Sequence, residues 1–478
     1  MALLGCAPSD DTPLRDTPDV YLITLDTTRP DHLGIYGYPR DTSPALDAFA
    51  SEAKVYERAW STAPWTLPAH ASMLTGQYPS SHGAHYVRDR REGSERRDGH
   101  DERGPRSDAR NAPDPAPAPA SLTEVLPFVP KNNYRANRLA ERHETLAEIL
   151  ARRGYATGAF AAGHWLAPAF GLLQGYDHQD AHVPKLAGRP AREMTSAAIG
   201  WLEKLPAEKP AHLLINYFDP HDPHNPADAA RLSPTSRTRP PSDPYADRVD
   251  RYDAEIRIMD REIGRFLDAL REMNRFDNAV IIFVADHGEL FGEHGRENHG
   301  PWLDEELVRV PLLIRFPSGR DGGSRVKAPI SIVDLLPIVA AEVGFPLPAS
   351  AEGSASETER LILSETRSSD FHVRKFGAEV ARDLQSAVEW PWKLVSASTG
   401  EQTLFRLDAE NPASPVLEDM LSQSERDAVQ RLRQRLQAVN TAFANQAAAA
   451  QGSPAQEAQP DPVSRETEAN LRALGYIE

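Results

Sequence analysis

Cysteine occurs once in 478 residues, at Cys6, so no disulfide can form within the chain. No run of about 18 apolar residues exists, which excludes a helix that crosses a bilayer. No internal repeat is found, so a solenoid is not indicated. Positive charge is also in deficit: 53 Lys and Arg against 70 Asp and Glu leave a net charge of −17, which argues against nucleic acid as a partner. That balance says nothing about fold. The length permits a large buried core and about two to four domains.

What is present is a set of apolar, partly β-branched runs that each stop at an aspartate. Residues 20–25 precede Asp26, residues 212–218 precede Asp219, and residues 279–285 precede Asp286. Continuous runs of this kind predict buried parallel strands. Ile256, Met259, Ile263, Phe266, Leu267 and Leu270 recur on one face of a predicted helix. Strands alternating with helices indicate an α/β, doubly wound sheet. In such sheets ligands lie beyond the carboxyl ends of the strands, where three carboxylates could converge.

More polar chemistry follows each strand end. Asp26-Thr27-Thr28-Arg29-Pro30-Asp31 is the first run, Asp219-Pro220-His221-Asp222-Pro223-His224 the second, and Asp286-His287-Gly288-Glu289 the third, with His294 and His299 close behind. Carboxylates mixed with imidazoles suit Zn or Mn better than Ca, which prefers an all-oxygen shell, although Ca stays open. A single Asp at a strand end is often only a helix cap, and a lone His is more often an inert core or surface residue.

Thr66 stands where a further helix begins, in Trp65-Thr66-Leu67-Pro68-Ala69-His70-Ala71-Ser72-Met73-Leu74-Thr75-Gly76. Pro68 suits the first turn and Gly76 the position just past the end. Free N–H groups and the helix dipole make that start attractive to phosphate or sulfate. The competing reading makes Thr66 only a cap.

These residues resemble the sulfatase branch of the alkaline phosphatase superfamily, over most of the chain from Val20 to about Gly344. The resemblance is carried by Leu25-Asp26, Pro68 through Gly76, Tyr78-Pro79, His82-Gly83, the run 219–223, Ala285 through Glu289, and Val308-Arg309-Val310-Pro311. It implies a doubly wound mixed sheet with helices on both faces, plus a small C-terminal α+β subdomain. The departures are informative. Sulfatases with a formylglycine nucleophile carry Cys or Ser two residues before the proline and Arg two after it, where this chain has Thr66 and His70. The second Asp of the family's Asp-Asp pair is Thr27, and His287 replaces a frequent Asn. This altered set is similar to lipoteichoic acid synthases and phosphoethanolamine transferases, which use a Thr nucleophile with carboxylates and an Asp-His pair around Mn or Zn.

The resemblance therefore implies Thr66 as nucleophile, with Asp26, Asp286 and His287 as ligands of a divalent metal that Thr66 also meets. His221 corresponds to the His that contacts the transferred group, and His299 falls near a Lys or His that supports the leaving group or a second metal. His70 joins the catalytic candidates. Asp219, His224 and His164 are candidates for a second metal or for substrate, and His294 is a weaker one. The expected activity is hydrolysis of phosphate, phosphonate or sulfate esters of a small molecule, lipid or glycan. The alternatives are a sulfatase proper, transfer to an alcohol acceptor, and a non-catalytic glycan-binding protein that keeps the fold.

Residues 1–17 read as a tether in which Leu3-Leu4-Gly5-Cys6-Ala7 resembles a bacterial lipoprotein processing site. Lipidation at Cys6 and a periplasmic or extracellular envelope location are the expectation, with membrane contact only through that anchor; a cytoplasmic protein with one incidental thiol is the alternative. Residues 18–350 read as the catalytic domain, interrupted at about 87–120 by an Arg-, Asp- and Pro-rich insertion predicted to be disordered. Residues 351–440 read as the C-terminal subdomain, with strands at 392–397 and 402–407 and a helix at 425–439. Residues 441–478 form a low-complexity tail whose Leu471, Leu474 and Tyr476 are expected to dock on the body.

Overall fold

The computed structural model describes residues 17–86, 136–184, 187–224, 238–410, 412–450 and 465–473. Cys6, the insertion at about 87–120, Leu474 and Tyr476 lie outside the described residues.

The three runs form strands and are neighbours. β1 (Asp19–Leu25), β2 (Lys54–Trp60), β3 (Ala156–Ala161), β4 (His178–Asp180), β5 (Ala211–Tyr217) and β6 (Ala279–Val284) enter a nine-stranded sheet. The hairpin β7 (Leu290–Phe291) and β8 (Glu297–Asn298) stands apart, and β9 (Arg309–Arg315), β10 (Arg325–Val326) and β11 (Ile330–Ser331) complete the sheet in the order β10-β2-β9-β6-β1-β5-β3-β4, with β11 on β2. β1 is central, parallel to β5 on one side and β6 on the other. All residues of these three strands are buried, as a strand covered on both faces requires. β9 runs antiparallel to both β6 and β2, which makes the sheet mixed.

The register sets the site. Thr24 pairs with Asn216 on β5 and with Val284 on β6, so the residues just beyond all three ends emerge side by side. β2 points the same way and feeds helix Thr66–Thr75.

The predicted helix around Ile256 spans Ala246–Glu272, and its six apolar residues are buried. It buries acids as well. Asp260 accepts from the backbone N–H of Ala45 and Leu46 at 2.9 Å each, capping helix Pro44–Phe49 from across the fold. Asp253 takes Arg40 and His32 at 2.6 Å each. Periodicity alone would have placed these carboxylates in water.

A second sheet, β12 (Ile362–Thr366), β13 (Leu384–Glu389), β14 (Trp392–Ala397) and β15 (Gln402–Arg406), is an antiparallel meander. Helix Gln423–Ala450 lays Val429, Leu432, Leu436 and Phe443 against Leu363, Ala387, Leu394 and Leu404, and Tyr78 and Val333 of the main body join that cluster. β12 is tied to the body by Glu365 N–H to Thr62 O at 2.8 Å and Ser364 Oγ to Ser61 O at 2.6 Å. In helix Arg465–Ala473, Leu471 is buried in the main core, as expected of a docking segment.

Buried neutral imidazoles make the fold acid-sensitive. His212 donates Nδ1–H to Val20 O at 3.0 Å and accepts from the Tyr176 hydroxyl at 3.0 Å, and burial holds its pKa down at about 4. Its stabilising contribution is complete above the ordinary value near 6.5 and is lost as pH falls from there toward 4, because the unfolded chain takes up the proton first. His212→Gln is expected to shrink the stability difference between pH 7 and pH 5 by about 2 kcal/mol in urea unfolding. An undiminished difference would show that His212 does not drive the acid response.

Candidate active site

Asp26 follows β1, and the chain turns at once through Thr27, which has φ +53°. A positive φ is costly for a β-branched residue and persists only where its surroundings impose it. Here the turn aims the Thr27 N–H at Asp286 Oδ1, 3.2 Å away. The Thr27 carbonyl accepts from the Tyr252 hydroxyl at 2.7 Å, and the Tyr252 hydroxyl oxygen in turn accepts from Arg29 N–H at 2.9 Å. The strained turn thus joins the end of β1 to the end of β6.

Asp286 Oδ1 also accepts from His287 N–H at 2.9 Å. His287 donates Nδ1–H to Gly288 O at 2.9 Å, leaving Nε2 as a lone pair turned inward. Gly288 is obligatory, because a Cβ there would lie 2.0 Å from the Glu306 carbonyl. His287 Nε2 stands 3.5 Å from Asp286 Oδ2 and 4.0 Å from Asp26 Oδ1. The ligand atoms of the three residues all lie within 4.8 Å of one another.

The chemistry of this trio fits a divalent cation. Among the described residues, Asp26 Oδ1 and Asp286 Oδ2 are buried with no hydrogen-bond donor. Burial, and then the facing Asp286, push the Asp26 carboxyl well above its ordinary pKa; burial raises Asp286 as well, with His70 opposing. Two buried carboxylates and one imidazole lone pair form a mixed oxygen and nitrogen set suited to Zn or Mn. The outer oxygen of Asp26 is steadied by Asn216 Nδ2 at 3.3 Å, whose own oxygen accepts from Gly163 N–H at 2.9 Å.

Thr66 opens helix Thr66–Thr75, whose ten residues are all buried and whose C-cap is Gly76 at φ +68°. Among the described residues no side chain caps this helix start. Instead the Thr66 hydroxyl lies 3.4 Å from His287 Nε2. The hydroxyl at this helix start and the metal-capable trio therefore lie side by side.

The other candidates separate into three groups. His221 and His299 stand beside the trio: the His299 ring is 4.4 Å from His287 and 5.2 Å from His221, centre to centre. His221 donates Nδ1–H to Asp222 O at 2.6 Å, and His299 donates Nδ1–H to Glu289 Oε2 at 3.2 Å. Burial holds both imidazoles at about 3, so both are neutral near pH 7.

His70 and His224 serve from behind. His70 donates Nδ1–H to the Thr66 carbonyl at 2.9 Å and accepts from the Thr24 hydroxyl at 3.1 Å. Both its nitrogens are engaged, and Nδ1 lies 3.6 Å from Asp286 Oδ2, so its place is that of a support under Thr66 and Asp286 and not of a proton donor to substrate. His224 donates Nδ1–H to Glu255 at 2.9 Å.

Asp219, His164 and His294 do not join the trio. Asp219 Oδ1 accepts from Ala191 N–H at 3.0 Å, capping helix Ala191–Leu202 whose own start has no side-chain cap, and burial lifts its pKa to about 7. His164 packs edge-on to Phe218, which stacks on His221. His294 is exposed and meets Glu306 at 3.2 Å.

Sequence reasoning missed Glu289, Asn216 and His372. Glu289 lies inside a quoted motif, two residues past His287, where a fully buried carboxylate could have been suspected. Asn216 is the one amide in an otherwise apolar run, a usable signal. His372, against which Gly300 packs, has no local signature.

The description Sulfatase matches residues 18–102 and 117–344, more than half of the chain. The chain belongs to the sulfatase family. It is 25% identical over 358 residues to an ulvan-active sulfatase of Formosa agariphila, covering 70% of this chain and 63% of that one. Matches to three curated relatives span 18%, 33% and 63% of their own lengths. Among solved structures, one determined in complex with its substrate D-glucosamine-2-N,6-O-disulfate superposes with a TM-score of 0.66 at 16% identity, over 90% of this chain and 99% of that one. The phosphonate monoester hydrolase of Agrobacterium radiobacter superposes with a TM-score of 0.61 at 17% identity, over 89% of this chain and 96% of that one. The large mixed sheet flanked by helices, with its C-terminal sheet, is the fold of these enzymes.

Proposed function

We propose that this chain is a metal-dependent hydrolase of anionic esters, sulfate or phosphorus, that uses Thr66 as its nucleophile. The observation that carries this is the Thr66 hydroxyl 3.4 Å from His287 Nε2, itself grouped with Asp26 and Asp286 at a helix start. The sulfatase relatives favour sulfate esters, whereas a threonine, which cannot become formylglycine, favours phosphate or phosphonate esters. A divalent ion held by Asp26, Asp286 and His287 would supply Lewis acidity, lowering the pKa of a hydroxyl beside it.

The residues divide the work as follows. Thr66 Oγ1, its proton released to solvent, forms a bond to sulfur or phosphorus while the bond to the alcohol oxygen breaks. N–H groups at the start of helix Thr66–Thr75 face the growing charge on the non-bridging oxygens, with His221 beside them. His299 gives a proton to the departing alcohol, and Glu289 holds its ring in place. Although burial keeps His299 neutral in the free protein, a bound anion raises its pKa toward the working range. Water then cleaves the threonyl ester and restores the hydroxyl.

The purified protein, stripped of metal and resupplied with Mn or Zn, is to be offered matched aryl sulfate, phosphate and phosphonate esters. Turnover of at least one, abolished by chelation and restored by metal, is expected. Metal binding without turnover of any ester would sink the hydrolase reading in favour of a binding protein.

A further inference from the structure

Between β12 and β13 of the second sheet runs helix Asp370–Phe376, which reaches the residue next to His299. Its His372 is buried, held through Nδ1 by Ser369 Oγ at 2.9 Å, and presents Nε2 to the backbone of Gly300. A Cβ on Gly300 would come within 2.7 Å of that nitrogen. Thr366 Oγ1 donates to Gly300 O at 2.6 Å. Two residues of the C-terminal sheet region thereby grip the residue next to His299.

Lys375 lies three residues beyond His372, on the same face of the helix. Because His372 meets Gly300, the neighbour of His299, Lys375 stands one turn further along the same helix face on the proposed leaving-group side of the site. The carboxylates whose field reaches it are Glu289, Glu297 and Asp222, and all are committed elsewhere. Glu289 holds His299 at 3.2 Å, while Glu297 and Asp222 meet Arg248 at 3.5 and 3.8 Å. Among the described residues Lys375 has no ion pair; its ammonium lies 5.0 Å from the Phe376 ring and 5.8 Å from that of Phe371. In a chain of net charge −17, an uncommitted cation at this position is a local attraction for an anion that the protein as a whole repels.

We propose that Lys375 forms an anion subsite on the alcohol side of the ester, so that the preferred substrates carry a second anionic group, a carboxylate or another sulfate, on the part that leaves. This rests on the ester-hydrolase reading and names its substrate class. A cation here acts on recognition of the leaving portion and not on the reacting sulfur or phosphorus. Arg248, tied to Asn298 at 2.8 Å as well as to its two acids, leaves this task to Lys375.

The test compares an aryl sulfate with the same aryl sulfate bearing a ring carboxylate, in the unmutated protein, Lys375→Met and Lys375→Arg. The ratio of kcat/KM for the dianionic over the monoanionic ester is expected to fall about tenfold in Lys375→Met, a change of about 1.4 kcal/mol, and to recover in Lys375→Arg. Taking the ratio cancels any difference in leaving-group acidity. An unchanged ratio, or an equal loss on both esters, overturns the subsite. If the unmutated protein turns over neither ester, the hydrolase reading fails separately, and the two compounds then serve as stable ligands in calorimetry. Tighter binding of the carboxylate-bearing compound, lost in Lys375→Met, supports the subsite under those conditions; equal binding of the two overturns it.

Discussion

Thr66→Ala is expected to lower kcat/KM by about a thousandfold or more for every ester the protein cleaves, which is about 4 kcal/mol of transition-state stabilisation. The size follows from the role: a nucleophile removed leaves only binding and electrostatic assistance to attacking water. The same change is expected to cost little stability. Among the described residues the Thr66 side chain caps no backbone N–H and pairs only with His287, at the long distance of 3.4 Å, and alanine suits the first turn of a helix. Activity and stability should therefore separate, which circular dichroism and thermal melting would check on the preparation used for kinetics. Thr66→Ser restores the hydroxyl without the β-methyl group that restricts its rotamers, and is expected to recover part of the rate. Mass spectrometry of rapidly quenched reactions should find sulfate or phosphate mass on the peptide containing Thr66. Full activity in Thr66→Ala would mean that water attacks directly, and would remove Thr66 from the mechanism.

The parts of this centre legible in the sequence are those fixed by local periodicity. Continuous apolar runs gave β1, β5 and β6, and the rule that ligands gather beyond parallel strand ends brought Asp26 and Asp286 together before any geometry was known. The same rule misplaced Asp219. A strand end fixes where a residue emerges but not where its side chain turns, and helix Ala191–Leu202, beginning after a proline, lacked a cap that Asp219 could supply. His70 fell to a similar ambiguity. Four residues after Thr66, it lies on the nucleophile's face of the helix, but its Nδ1–H found the carbonyl one turn back. Tyr252, which clamps the Thr27 turn, and His372, which supports the residue after His299, come from far along the chain. No pattern within a window of sequence reports such contacts. They follow from how the long helix and the second sheet pack on the first.

Asp26→Asn should move stability and function in opposite directions. In the metal-free protein Asp26 and Asp286 are fully buried, their ligand oxygens lie within 4.8 Å of each other, and each lacks a donor on its inner oxygen among the described residues. Burial raises both pKa values, and the facing Asp286 adds to the rise at Asp26, so the folded protein holds a proton that the unfolded chain gives up near pH 4. By linkage, this pair favours the folded state at low pH and loses that contribution as pH rises through the raised folded value. Asparagine keeps an oxygen for Asn216 and offers an N–H₂ toward Asp286 in place of a second charge. The metal-free variant is expected to melt higher than the unmutated protein at pH 8, with less dependence on pH. Metal should then have the reverse effect. The unmutated protein should gain about 3 kcal/mol at a hundredfold excess of metal over Kd, whereas the variant, missing one of three ligands, should gain little. Mn or Zn should outdo Ca in that shift if the donor set has been read correctly. Turnover should fall with the metal response. A variant that melts lower without metal, yet responds to metal as before, would show that Asp26 is a packing residue and that the cation sits elsewhere.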